Sequence, residues 1–290
     1  MVHLERSYQA IYGFGDSYID NGNLHEASGH IFQPDPPYWN GRWIDGPNFV
    51  DVLAENLGME PLEPVARGGT NYGYGGATIA TDWDYKGFLV KSTKTQVEEY
   101  LAGLEGGLAD ARGLYVFFAG SDIVMPASSL QEGMDTAPAK ANARQAANDL
   151  VALVQMLVDR GAGSFLVLDL FDIGKMPVPA WRNPLTTELC KIFNEVLAEG
   201  LDGLKGVRIV CFDFEAWMAS IRPEFEVTDA LFIVRNDFGP DDPPYKGLPE
   251  PTRSDAYLYF DDWGHLSGRA NRMLGEALTE VVLKGMDRNG

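Results

Sequence analysis

"SFLVLDLFDIG" (residues 164–174) is nearly all apolar, the pattern of a central parallel strand covered on both faces. Helical patterns flank it. Upstream, residues 139–160 carry Leu150, Val151, Val154, Leu157 and Val158 on one face and stop at Gly161. Downstream, a helix is predicted from about Thr186 to Leu204, followed by the strand "VRIVCFDF" (207–214). Towards the start, "QAIYGF" (9–14) reads as a first strand and "GLYVFFAG" (113–120) as a short buried one. Between them, "GPNFVDVLAENLG" (46–58) places Phe49, Val50, Leu53 and Leu57 at helical spacing before Gly58. The last pattern, "LSGRANRMLGEALTEVVLKG" (266–285), keeps Leu274, Ala277, Leu278, Val281 and Val282 in register. Strand–helix alternation of this kind predicts an α/β protein, a parallel sheet with helices on both faces. In such sheets ligands bind at the carboxyl ends of the strands.

The 290 residues are expected to form one domain, 1–290, with 45% hydrophobic and 22% charged residues to supply a core and a soluble surface. Lys and Arg number 23 against 42 Asp and Glu, a net charge of −19. Such a surface repels phosphate backbones and anionic headgroups, so nucleic acid is excluded as a partner. Cys190 and Cys211 are the two cysteines and belong to no metal-binding spacing, so neither structural zinc nor a disulfide framework is expected. No apolar run has the length of a membrane span. The start "MVHLERSYQA" lacks the pattern of a secretory leader, which fits a cytoplasmic protein or a secreted one without its leader. Two irregular insertions interrupt the alternation, residues 24–46 and 235–256. Long loops of this kind are lids, binding loops or covers for the core edge.

Directly after the first strand stands "YGFGDSYIDNGN" (12–23). By itself it is a glycine-rich turn, and Ser17 in it is a poor nucleophile unless a base takes its proton. The bases to consider are His3, His25, His30 and His265. His3 is near the terminus, and His25 and His30 fall in the first insertion at no metal-ligand spacing. His265 stands in "FDDWGHLSG" with Asp262 three residues before it and Asp261 next to that. A carboxylate three positions ahead of an imidazole can accept from its Nδ1–H within one tight turn. In a parallel sheet this turn and the Ser17 turn reach the same rim.

"FGDSYIDNGN" resembles the first block of the GDSL (SGNH) hydrolase family, F-G-D-S-x-x-D-x-G-N, at Phe14, Gly15, Asp16, Ser17, Asp20, Gly22 and Asn23. "YFDDWGHLSGRANRML" is similar to its last block, D-x-x-H before a helix, with Leu266 where proline often follows the histidine. "GGTNYGYGGAT" (68–78) resembles the block N-[YF]-A-x-G-G-A, "LCKIFNEVLAEGL" (189–201) the F-N-x-x-L helix, and "PEFEVTDALFIV" (223–234) a later segment. The resemblance covers nearly the whole chain in order. It implies a three-layer α/β/α sandwich with a mostly parallel, flavodoxin-like sheet, acting as a serine esterase or lipase without cofactor or metal. It implies Ser17 as nucleophile, His265 as general base and then acid, and Asp262 as the group that orients it. The oxyanion would be held by the N–H of Ser17 and of Gly76, with Gly75 as the alternative glycine. Asp16, Asp20, Asn23, Asn71 and Asp122 would support these groups.

One block departs from the family. Its G-x-N-D, whose asparagine donates to the oxyanion, reads "AGSD" here, with Ser121 at the asparagine position and Asp122 kept. A serine hydroxyl is a shorter donor that can equally accept. The resemblance implies a small-molecule or carbohydrate-linked ester as substrate, such as a carbohydrate acetyl ester or a short-chain ester. The alternatives are an acyltransferase working through the same acyl-enzyme and a binding module that has lost its turnover. No G-x-S-x-G, P-loop or dinucleotide fingerprint occurs.

Overall fold

The computed structural model describes residues 8–120, 123, 134–178, 182–232 and 251–287. In chain order the elements are β1 (Ala10–Gly15), α1 (Asn23–Ala27), α2 (Phe49–Asn56), the strands β2 (Trp83–Tyr85) and β3 (Phe88–Val90), and α3 (Thr93–Ala102). There follow β4 (Gly113–Phe118), α4 (Ala137–Val158), β5 (Ser164–Leu168), α5 (Pro184–Gly203), β6 (Arg208–Phe212) and α6 (Phe214–Ile221). The chain ends with β7 (Val227–Phe232), β8 (Tyr257–Asp261) and α7 (Gly268–Asp287).

The main sheet has four parallel strands in the order β1-β4-β5-β6. Every residue of β4 is buried. Because successive side chains of a strand point to opposite faces, both faces of the sheet must be covered. The helices do this as two packed pairs, α2 with α7 and α4 with α5. A second parallel pair, β7 and β8, brings the chain to Asp261, while β2 and β3 form an antiparallel hairpin. The expected α/β architecture, mostly parallel and flanked by helices, is therefore the one observed. Among the described residues no helix is long and apolar enough to cross a membrane.

Local chemistry sets the ends of the long helices. Asn48 caps α2 by accepting from the Asp51 N–H while the Asp51 carboxylate accepts from the Asn48 N–H, a reciprocal capping box. The same carboxylate receives both Nε (3.0 Å) and Nη2 (2.9 Å) of buried Arg42. The α5 helix starts with Pro184 behind an Asn183 cap. Beneath these helices Phe14, Tyr115, Phe117, Phe165 and Leu166 fill the centre of the sheet.

The first insertion is only partly a loop. Phe32 and Trp43 pack with Leu24 and Tyr74, and Tyr38 and Ile44 pack with Phe260, so the segment covers the edge next to β8. Of the second insertion, residues 235–250 lie outside the described residues, and Pro251–Ala256 is a 3-10 turn leading into β8.

Candidate active site

The serine turn begins where β1 meets the end of β4. Gly15 pairs with Phe118 and has φ +145, and a Cβ built on it would stand 1.8 Å from the Phe118 carbonyl oxygen. Only glycine fits that approach. The chain then closes one tight turn, with the N–H groups of Ile19 and Asp20 donating to Asp16 O at 3.0 and 2.9 Å. The Tyr18 N–H donates to the Asp16 side chain at 3.1 Å. Ser17 is carried at the crown of this turn and remains partly exposed.

Ser17 Oγ and His265 Nε2 are 2.8 Å apart. On the other side of the ring, Nδ1 is 2.9 Å from Oδ1 and 2.8 Å from Oδ2 of Asp261. With Nδ1–H donating to the carboxylate, Nε2 is left as acceptor for the serine proton. The expected Asp262 is therefore not the partner of the imidazole. Asp261, one residue earlier, holds that place. The reason lies in where β8 stops. Asp261 is its last residue and is fully buried, whereas Asp262 is already in the turn and partly exposed. The turn closes with Gly264 N–H on Asp261 O (3.0 Å), and the chain comes back so that Phe260 N–H donates to His265 O at 2.7 Å. This return brings the imidazole over the side chain four positions before it. Asp261 also accepts the N–H of Trp263 (3.2 Å) and of His265 (3.1 Å), and the Tyr38 hydroxyl at 3.4 Å.

Aromatic rings fix the imidazole plane. Trp43 lies 5.2 Å and Tyr18 5.9 Å from the His265 ring, centroid to centroid, and Trp263 packs on Trp43 at 5.6 Å. The Tyr18 hydroxyl donates to Gly264 O at 2.7 Å, tying the serine turn to the histidine turn. His265 is itself only 5% exposed.

The glycine segment runs alongside β1. Tyr72 N–H donates to Gly13 O (2.8 Å) and Tyr74 N–H to Gly15 O (3.0 Å). Gly76 stands two residues beyond the last of these bonds, in a turn closed by Ala77 N–H on Tyr74 O at 3.0 Å. Gly76 has φ +77 and is exposed. The alternative, Gly75, has its N–H committed to Asp20 Oδ2 at 2.8 Å. Ser121 and Asp122 lie outside the described residues.

Of the expected supporting residues, Asp16, Asp20, Asn23 and Asn71 lie in or beneath the turn. Asp20 is fully buried, which raises its pKa above the ordinary carboxylate value. Its oxygens accept the N–H of Gly22, Asn23 and Gly75 and the Trp43 indole, all of which favour the charged form. Asn23 donates to Asn71 O and Gly73 O, both at 2.8 Å, and Asn71 donates to Ile19 O at 2.7 Å. One residue of this frame has no sequence signal. Gln96, fully buried on α3, accepts the Gly15 N–H at 2.8 Å and donates to Gly15 O at 2.9 Å.

The other histidines stand apart from this site. His25 Nδ1 bonds Phe32 O at 2.7 Å and His30 Nε2 bonds Glu26 at 3.2 Å, and His3 lies outside the described residues. Among the described residues no group of His, Cys, Asp and Glu is arranged to hold a metal ion.

Comparisons with known proteins bear on the family of the chain. A family model described as GDSL-like Lipase/Acylhydrolase matches residues 11–278. The chain is similar to Lipase 1 of Photorhabdus luminescens, 33% identical over 59% of this chain and 23% of that protein, so it spans under a quarter of that relative. It is also similar to the GDSL esterase/lipase EXL6 of Arabidopsis thaliana, 21% identical over 97% of this chain and 92% of the relative. Among solved structures it resembles Est24, a carbohydrate acetylesterase from Sinorhizobium meliloti, at 16% identity and a TM-score of 0.48, over 95% of this chain and 98% of that one.

Proposed function

Because the chain belongs to the GDSL-like lipase/acylhydrolase family, we propose that it hydrolyses a carboxylic ester through an acyl-enzyme on Ser17. The observation that carries this reading is the continuous line Ser17 Oγ, His265 Nε2, His265 Nδ1, Asp261, with both contacts within 2.9 Å. Ser17 attacks the acyl carbonyl as its proton passes to His265 Nε2, and Asp261 stabilises the imidazolium. The tetrahedral oxyanion is held by the N–H groups of Ser17 and Gly76, joined by Ser121. His265 then protonates the leaving alcohol, and water releases the acyl group by the same steps in reverse.

The acyl group is short in this reading. The gap that Ser17 and His265 share with Trp43, Ile44 and Asn48 measures about 10 Å³, room for no more than a single water, so the acyl group lies outside it. With no enclosed slot for a long acyl chain beside the nucleophile among the described residues, the proposed substrate is an acetyl or similarly short ester, a sugar hydroxyl being among the candidate alcohols.

A series of p-nitrophenyl esters from acetate to palmitate tests this. The acetate is expected to give the highest kcat/KM, and Ser17→Ala to remove turnover of every member. A preference for palmitate would contradict the short acyl group, and full activity in Ser17→Ala would contradict the nucleophile.

A further inference from the structure

A second cavity, of about 240 Å³, opens between α6, the loop after β5 and β8. Its walls share no residue with the cavity at Ser17. Phe171 and Met218 give it an apolar floor. The charges around it are matched except one. Lys175 Nζ donates to Glu215 Oε1 at 2.7 Å and to Asp172 Oδ2 at 3.1 Å. The second Glu215 oxygen accepts the Asp172 N–H at 2.6 Å, and the second Asp172 oxygen accepts the Thr187 hydroxyl at 2.7 Å. Arg222 remains, a lining residue that forms no ion pair among the described residues.

A second polar group in the same wall is only partly satisfied. The Tyr259 side chain is fully buried; the Arg222 guanidinium lies against its hydroxyl oxygen, and the hydroxyl proton has no acceptor. Burial pushes this hydroxyl up to about 12, with the charge and the hydrogen bond of Arg222 acting against it, so it keeps its proton and has it to donate. Buried donors without an acceptor are rare in native proteins and call for an explanation. Here a guanidinium and a hydroxyl donor face one cavity with an apolar floor.

We propose that this cavity binds a short aliphatic carboxylate, its anion on Arg222 and the Tyr259 hydroxyl and its alkyl end against Phe171 and Met218. One unpaired cation beside two carboxylates suits a monoanion rather than a phosphate dianion. The site is independent of the chemistry at Ser17, although carboxylates are the class of product that ester hydrolysis releases.

Calorimetric titration of the whole protein with butyrate, and with butyramide as the uncharged isostere, tests the proposal. Saturable binding of butyrate and none of butyramide is expected. Arg222→Gln should weaken butyrate at least tenfold, and Tyr259→Phe by about three- to tenfold, the range for one hydrogen bond. Tyr259→Phe should do so while the protein stays folded, since the hydroxyl it removes has the Arg222 guanidinium as its one partner and no acceptor for its proton. Ala219→Trp, at the exposed mouth of the cavity, gives a variant that leaves the core untouched and should block binding. Ser17→Ala should bind butyrate as the parent does. Absence of binding, unchanged affinity in folded Arg222→Gln or Ala219→Trp, or loss of binding in Ser17→Ala would each overturn the assignment.

Discussion

Asp261 and Asp262 are neighbours in sequence, yet the end of β8 divides them. Asp261 is 0% exposed and accepts from His265, Trp263 and Tyr38. Asp261→Asn replaces one of the two oxygens facing Nδ1 by a donor and favours the wrong imidazole tautomer. Its kcat for a p-nitrophenyl ester is expected to fall by about 10⁴-fold. Asp262→Asn, at a partly exposed position, is expected to stay within about threefold of the parent, the effect of a surface change of about 0.5 kcal/mol. Equal losses would mean that both carboxylates serve the base. The serine and the histidine were legible in the sequence because each sits in a motif of fixed spacing. The acid was not, because its identity depends on which residue ends the strand and on how tightly Gly264 lets the chain return. Gly75 and Gly76 differ for a similar reason, since only the structure reveals that Asp20 takes the Gly75 N–H.

At the scale of elements, the long helices and the four strands of the main sheet were legible from apolar runs and helical spacing, with Gly58 and Gly161 marking two ends. The helix α3 was not, since its buried face consists of Thr93, Gln96, Val97 and Tyr100, half of it polar. That polarity has a use. Gln96 holds both backbone groups of Gly15, and Gln96→Leu leaves the Gly15 N–H unpaired beside the nucleophile turn, the carbonyl keeping only the Tyr74 N–H. A drop in kcat of about 10²-fold with KM little changed is expected, the effect of a small displacement of a reacting group. A proportional rise in KM instead would show that Gln96 supports binding. A second element-level test concerns the carboxyl end of β5, where Asp169 accepts the N–H of Phe214 at the start of α6 at 2.7 Å. Burial, with the charges of Asp213 and Glu215 adding to it against that N–H, pushes Asp169 up to about 7. The unfolded chain releases this proton near pH 3.9. Its stabilising contribution is thus complete below about pH 4 and declines as pH rises to about 7. Asp169→Asn keeps an oxygen for Phe214 and removes the titration. Its Tm relative to the parent is expected to be higher at pH 8 than at pH 5 by about 2–4 °C, the response to about 1 kcal/mol in a large domain. A difference that does not vary with pH would refute the shift.

For the whole molecule, the net charge of −19 is the dominant long-range property. Self-repulsion of that size opposes the compact state and is relieved by salt. Going from about 0.01 M to about 0.1 M sodium chloride shortens the Debye length from about 30 Å to about 10 Å. Tm is expected to rise over that range, and a fall would mean that attractive ion pairs outweigh the repulsion. The fold's contribution to chemistry is to bring together residues that lie 248 positions apart in the chain, Ser17 and His265. That convergence was inferred from two motifs reaching one rim, and the 2.8 Å contact is its direct form. The most direct test of the proposed reaction is mass spectrometry of the intact protein after treatment with a fluorophosphonate, followed by peptide mapping. The proposal predicts one adduct, on Ser17, forming quickly in the parent and hardly at all in His265→Ala. An unlabelled Ser17 in protein that still cleaves esters, or an adduct on another residue, would contradict it.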